Sequence, residues 1–119
     1  MKITAISDLH GFLPQIQPTD LLLIGGDICP VVNHQIDFQA EWLNTNFKTW
    51  LESVPAKKII GVAGNHDFVF QYKPQAIKEL PWIYLEDSLC EHEGLKIWGT
   101  PWQPFFFNWA FNQIGRAHV

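Results

Sequence analysis

Cysteine is scarce: two residues, Cys29 and Cys90, in a chain of 119. Two distant thiols make no disulfide framework, so a reducing cytoplasm is the expected compartment. Positive charge is also in short supply, with eight basic against twelve acidic residues and a formal charge of −4. That excludes the basic background expected of a protein that grips a nucleic acid duplex or an anionic membrane. No apolar run approaches the ~18 residues of a membrane span. Lys2 and Asp8 come too early for the first residues to read as a signal peptide. Internal repeats and low-complexity stretches are absent as well. What remains is globular in composition, 47% hydrophobic and 17% charged. Six tryptophans and nine phenylalanines call for a large core, and the chain is short for one so aromatic.

The pattern along the chain is strand, loop, strand, helix, strand. Residues 2–6 are short and β-branched, and read as a strand. Residues 20–24 form a continuous apolar run closed by Gly25, Gly26 and Asp27, as in a strand buried on both faces. Residues 35–54 predict a helix: Ile36, Ala40, Leu43, Phe47, Trp50, Leu51 and Val54 recur at three- and four-residue steps, and Pro55 stops it. A third strand is expected over residues 57–63, ending at Gly64, and two more over 82–85 and 96–99. Residues 88–91 are placed to pair across the Glu93-Gly94 turn. This is an α/β pattern with crossover connections.

The first three strands all run out into ligand-type residues: Asp8 and His10, then Asp27, then Asn65, His66 and Asp67. In open α/β sheets the carboxyl ends of the strands line the functional crevice. Asp8 and His10 are two apart, so on extended backbone both side chains point the same way. Mixed carboxylate, imidazole and carboxamide ligands suit Mn, Fe, Zn or Mg rather than a soft thiolate site. A carboxylate shared by two ions makes economical use of few acids, and paired ions suit in-line displacement at phosphorus.

The three motifs Asp8-x-His10, Gly25-Gly26-Asp27 and Gly64-Asn65-His66-Asp67 resemble those of the calcineurin-like metallophosphoesterases. The stretch from Lys96 through Gly99, Pro101, Trp102 and Pro104 to Asn108, Trp109, Phe111 and Asn112 is similar to the metallophosphoesterase-domain-containing branch, which includes cyclic-nucleotide phosphodiesterases. The resemblance implies a four-layer α/β/β/α sandwich, of which this chain holds the N-terminal half. It implies two divalent metal ions, with Asp8 and His10 on the first, Asp27 bridging and Asn65 on the second. The implied catalytic residues are His66, beside the phosphate, and Asp67, which orients it. The implied reaction is attack of a metal-bridging hydroxide on a phosphodiester or phosphomonoester. The implied partner is a small phosphorylated substrate, a cyclic nucleotide among the options, with no nucleic acid duplex and no membrane.

Family members carry two further histidine motifs that this sequence does not show; the later histidines, His92 and His118, fall outside the pattern. The alternative expectation is therefore an inactive truncated fragment, or a metal-binding module without the later ligands. Residues 1–113 read as the N-terminal part of the domain. Residues 114–119 depart from the family pattern and match a translation of a sequencing adapter (ATC GGA AGA GCA CAC GTC), so they are expected not to be native. Among the remaining residues, His34 reads as a surface residue at the helix start and Cys29 as a small buried hydrophobe. His92 reads as solvated, and the aromatic stretch 102–111 as core packing, with Trp102 and Asn108 open as pocket-lining candidates. Ser7 is expected to face away from Asp8 and His10, because neighbours on a strand alternate.

Overall fold

The aliphatic runs pair side by side. In the computed structural model, which describes residues 1–104 and 107–112, β1 (Ile3–Ile6), β2 (Thr19–Ile24), β3 (Ala56–Gly61) and β4 (Ile83–Tyr84) form one sheet in that order. Every pairing in it is parallel. The register puts Ile6, Ile24, Gly61 and Tyr84 in one row, so the strands end level and the loops that follow them emerge side by side. The expected non-native tail, 114–119, lies outside the described residues.

Alternation along β2 divides two apolar cores. Leu22 and Ile24 face a large cluster with Leu43, Phe47, Leu51, Ile59 and Val69. Leu21 joins Ile60 and Leu85 on the opposite face, with Leu23, Val62, Cys90 and Ile97 packed around them. β2 is thus covered on both sides, as its unbroken apolar run requires. Each fully buried Leu, Ile or Phe in these clusters contributes about 1.5–3 kcal/mol of transfer free energy.

The predicted helix 35–54 is present but not continuous. It runs as α1 (Ile36–Trp42), a π turn (Leu43–Phe47) and α2 (Lys48–Ser53). One local and one distant set of side-chain bonds accompany the break. Thr45 Oγ1 turns back to the Glu41 carbonyl at 2.7 Å, a bond that competes with regular helix geometry. Asn44 is held from outside, donating to Ala76 O and accepting from Lys78 N. The widened turn leaves Leu43 and Phe47 both fully buried.

After β3 come a short helix α3 (Phe68–Tyr72), a 3-10 turn (Pro74–Ala76) and β4. β5 (Ser88–His92) and β6 (Leu95–Gly99) then form an antiparallel hairpin. Its turn, Glu93-Gly94, has positive φ at both residues, 48° and 82°, which matches the right-handed twist of the strands. The hairpin approaches the second face of the sheet closely: a Cβ on Gly99 would lie 2.8 Å from Val62 Cγ1. Between the hairpin and the sheet lies an open groove of about 370 Å³, lined by Ala5, Leu23, Val62, Leu85, Ile97 and Trp98 among others. Trp98 is 62% exposed.

Two expectations are corrected here. His92 is not a solvated turn residue: β5 extends through it to pair with Leu95, and its side chain is largely shielded, with Nε2 3.9 Å from Glu93. Ser7 does not turn away from Asp8, because β1 ends at Ile6 and strand alternation stops there; its hydroxyl donates to Asp8 Oδ2 at 2.8 Å. The mixed α/β architecture, with a parallel sheet and few helices, is the one expected for the N-terminal half of a metallophosphoesterase. Among the described residues no helix is long and apolar enough to cross a membrane.

Candidate metal centre

The three loops at the carboxyl edge of the sheet are tied to one another by backbone. Asp8 N donates to Gly26 O, His10 N to Asp27 O and Gly11 N to Ile28 O, at 2.9–3.0 Å. These bonds zip the loop after β1 onto the loop after β2. Asp8, His10 and Asp27 all adopt positive φ, 56°, 48° and 52°. Asp and His tolerate that region better than most residues, and each strained position costs of order 1–3 kcal/mol. The extended geometry expected for Asp8-x-His10 is therefore not what aims these side chains; left-handed turns do so, held by the loop-to-loop bonds.

The loop after β3 is fastened through two carboxylates. His66 N donates to Asp27 Oδ1 at 2.9 Å. Asp67 is fully buried. Its carboxylate accepts from Ile28 N, Cys29 N and Gly64 N at 2.8–3.0 Å. Burial pushes the Asp67 carboxyl above its ordinary value, and the amides of Cys29, Gly64 and Ile28 pull it back. This differs from the role expected for Asp67. Asp67 precedes α3 at φ −98°, ψ 66°, and its hydrogen bonds among the described residues go to main-chain amides rather than to the His66 ring. Gly64 is needed at this junction, since a Cβ there would collide with the backbone N and Oδ1 of Asp27.

His10, Asp27 and His66 come together. Each offers a ligand atom, and these atoms lie within 4.8 Å of one another. His10 Nε2 is 3.8 Å from Asp27 Oδ2, with the His10 side chain 41% exposed and that of Asp27 15%. The other Asp27 oxygen is committed to the His66 amide, so Oδ2 is the one turned to the cluster. Two imidazoles and a carboxylate fit a divalent ion of the Zn, Mn or Fe type. Asp8 does not join this trio; its Oδ2 accepts the Ser7 hydroxyl. Asn65 follows β3 next to His66, and its carbonyl accepts from Ala110 N at 2.9 Å. Cys29 is fully buried beneath the site, and burial with the nearby Asp67 carboxylate pushes its thiol far up, so it is no thiolate ligand.

His66 is surrounded. Gln39 Nε2 donates to its carbonyl at 2.7 Å. The Trp109 ring packs against it, tilted by 52°, at 3.9 Å between centroids, and the His10 ring meets it edge-on at 5.3 Å. Burial holds the His66 ring below its ordinary pKa; Asp27 opposes that shift, while His34 and His10 add to it. His34, read from the sequence as a surface residue at the helix start, is exposed and also reaches this ring. Its Nε2 lies 3.1 Å from His66 Nδ1, and its ring stacks on His66 at 5.1 Å. Nothing in the spacing marks it, because it sits on an irregular loop seven residues beyond Asp27. Trp102 packs edge-on against Phe111 in the core instead of lining the site.

Level parallel strands whose following loops bring two histidines and a carboxylate together form a candidate site for a divalent metal ion. The chain belongs to the calcineurin-like phosphoesterase family, whose sequence profile matches residues 1–115. It is 30% identical to metallophosphoesterase domain-containing protein 1 of Homo sapiens, over 93% of this chain and 40% of that protein, and the Mus musculus counterpart matches to the same extent. A UPF0046 protein of Caenorhabditis elegans is also 30% identical, over 98% of this chain and 46% of its own length. The chain thus spans less than half the length of the curated relatives it matches.

Proposed function

We propose that the protein hydrolyses phosphoesters with divalent metal ions, acting on a small phosphodiester or phosphomonoester such as a nucleotide. The observation that carries this reading is the convergence of His10, Asp27 and His66 at the ends of neighbouring parallel strands, in a chain of the phosphoesterase family.

His10 and Asp27 would hold metal, with Asp8 and Asn65 beside them in the loops after β1 and β3. When bound, divalent ions supply charge neutralisation on phosphoryl oxygens and an acidified water. The chain's own residues do the rest. Asp27 fixes the His66 amide and keeps its second oxygen for the cluster. The His66 ring, held below its ordinary pKa by burial, sits where it can steady the phosphoryl group or hand a proton to the leaving oxygen. Trp109 shields one face of that ring, which limits water there.

The test is release of nitrophenol from bis(4-nitrophenyl) phosphate with added Mn²⁺, comparing the wild-type chain with Asp27→Ala. Metal-dependent release that Asp27→Ala abolishes supports the reading. A second reading, binding of a single ion without turnover, draws on the fact that the described residues bring together one set of three ligands. It is favoured if Mn²⁺ binds and no nitrophenol appears.

A further inference from the structure

We propose that His34 is a positioning residue for His66: its Nε2 accepts the Nδ1 proton of the His66 ring and so leaves Nε2 of His66 as the nitrogen available to the His10–Asp27 cluster. The catalytic part of this rests on the phosphoesterase reading above; the contact itself does not.

The geometry is specific. The two nitrogens are 3.1 Å apart, within hydrogen-bond range. Between two imidazoles such a contact needs one ring to donate and the other to accept, so it fixes a tautomer in each. The rings are nearly parallel, at 29° and 5.1 Å, and the far side of His34 leans on Phe68 at 5.1 Å. His34 is therefore held by packing although it is exposed. A local device holds its loop: Asn33 Oδ1 accepts from Gln35 N at 2.9 Å, an Asx turn just before α1. The position that a carboxylate would fill as partner to His66 is taken by His34, because Asp67 is occupied with the amides of Gly64, Ile28 and Cys29.

The direction of the bond follows from what His66 has to do. If the Nδ1 proton stays with the His34 contact, Nε2 can present a lone pair to the cluster, or a proton to a leaving oxygen when the ring carries two. In that second case the Nε2 proton passes to the oxygen and the Nδ1 proton remains shared with His34. The opposite tautomer would point an N–H at the cluster and would remove the Nε2 lone pair from metal binding and proton acceptance. Partners that orient an active histidine typically matter by 10–100-fold in activity or metal affinity.

The experiment uses two variants of the 119-residue chain. His34→Phe keeps a ring against Phe68 and removes both nitrogens. His34→Gln returns an oxygen near the position of Nε2. Two-bond ¹H–¹⁵N correlation spectra of the histidine rings read the His66 tautomer directly. The expected result is a protonated Nδ1 on His66 in the wild type, a shift toward protonated Nε2 in His34→Phe, and recovery in His34→Gln. In the nitrophenyl assay kcat should fall on the order of tenfold in His34→Phe, with KM little changed, and return in His34→Gln. An unchanged His66 tautomer in a folded His34→Phe chain overturns the proposal. A tautomer that responds to His34 in a chain without turnover upholds the contact and counts only against the phosphoesterase reading.

Discussion

The backbone amide of His66 donates to Asp27 Oδ1 at 2.9 Å, so the loop after β3 hangs on a carboxylate from the loop after β2. The other oxygen of that carboxylate, Oδ2, faces His10. One side chain thereby joins all three strand ends and presents a ligand atom at the same time.

This double role separates two substitutions at Asp27. Asp27→Asn keeps an acceptor for the His66 amide and tolerates φ 52° as well as Asp does. Asp27→Ala loses the acceptor and is strained at that angle. Urea denaturation should show Asp27→Ala destabilised by about 2 kcal/mol, with Asp27→Asn within about 1 kcal/mol of wild type. Equal losses in the two would place the carboxylate's role elsewhere.

Asp67→Asn should cost more than its conservative chemistry suggests. The buried carboxylate serves three amides, and an Asn nitrogen would set a donor against one of them. A loss of about 3 kcal/mol is expected from the urea midpoint. A midpoint close to wild type would contradict the clamp.

Gly64→Ala tests the fit between the two loops. The added methyl would collide with Asp27 N and Oδ1, which are backbone and a committed side chain and cannot swing aside. A loss of about 3 kcal/mol is expected, together with weaker metal binding. Retention of both would mean the loops have slack that the geometry does not show.

Stability should depend on pH through His66. Its folded pKa lies below the ordinary 6.5, chiefly because burial disfavours the charged ring. Above 6.5 the ring is neutral in both states, and its contribution is fully present. As pH falls from 6.5 toward the folded pKa, the unfolded chain takes up the proton first and stability is lost. Thermal midpoints measured from about pH 8 to about pH 5 should therefore fall on the acid side. His66→Gln should flatten that part of the fall, and an identical slope in the variant would exclude His66 as its source.

Much of the fold was legible in the sequence. The run ending at Ile24 announced a doubly covered strand, because unbroken apolar residues over so short a span leave no face for water. The polar residues past Ile6, Ile24 and Ala63 marked the edge where His10, Asp27 and His66 gather, and the Glu93-Gly94 turn announced its hairpin. Other features were hidden because they depend on conformation rather than on residue type. Left-handed backbone at Asp8 and His10 replaced the extended geometry that their spacing implied. The π turn at Leu43–Phe47 depends on Asn44 reaching Ala76 and Lys78, a pairing more than thirty residues distant. His34 meets His66 only after β2 and β3 pair, so no local pattern could announce it. Asp67 looked like a partner for a histidine, yet its carboxylate is turned inward to amides.

The binding of a divalent metal ion by His10 and Asp27, with His66 beside it, is tested most directly by a Mn²⁺ titration followed by electron paramagnetic resonance. It is run on the wild-type chain and on His10→Ala and Asp27→Ala. Saturable binding in the wild type, weakened at least about tenfold by each substitution, is the predicted result; wild-type affinity in Asp27→Ala would contradict the site.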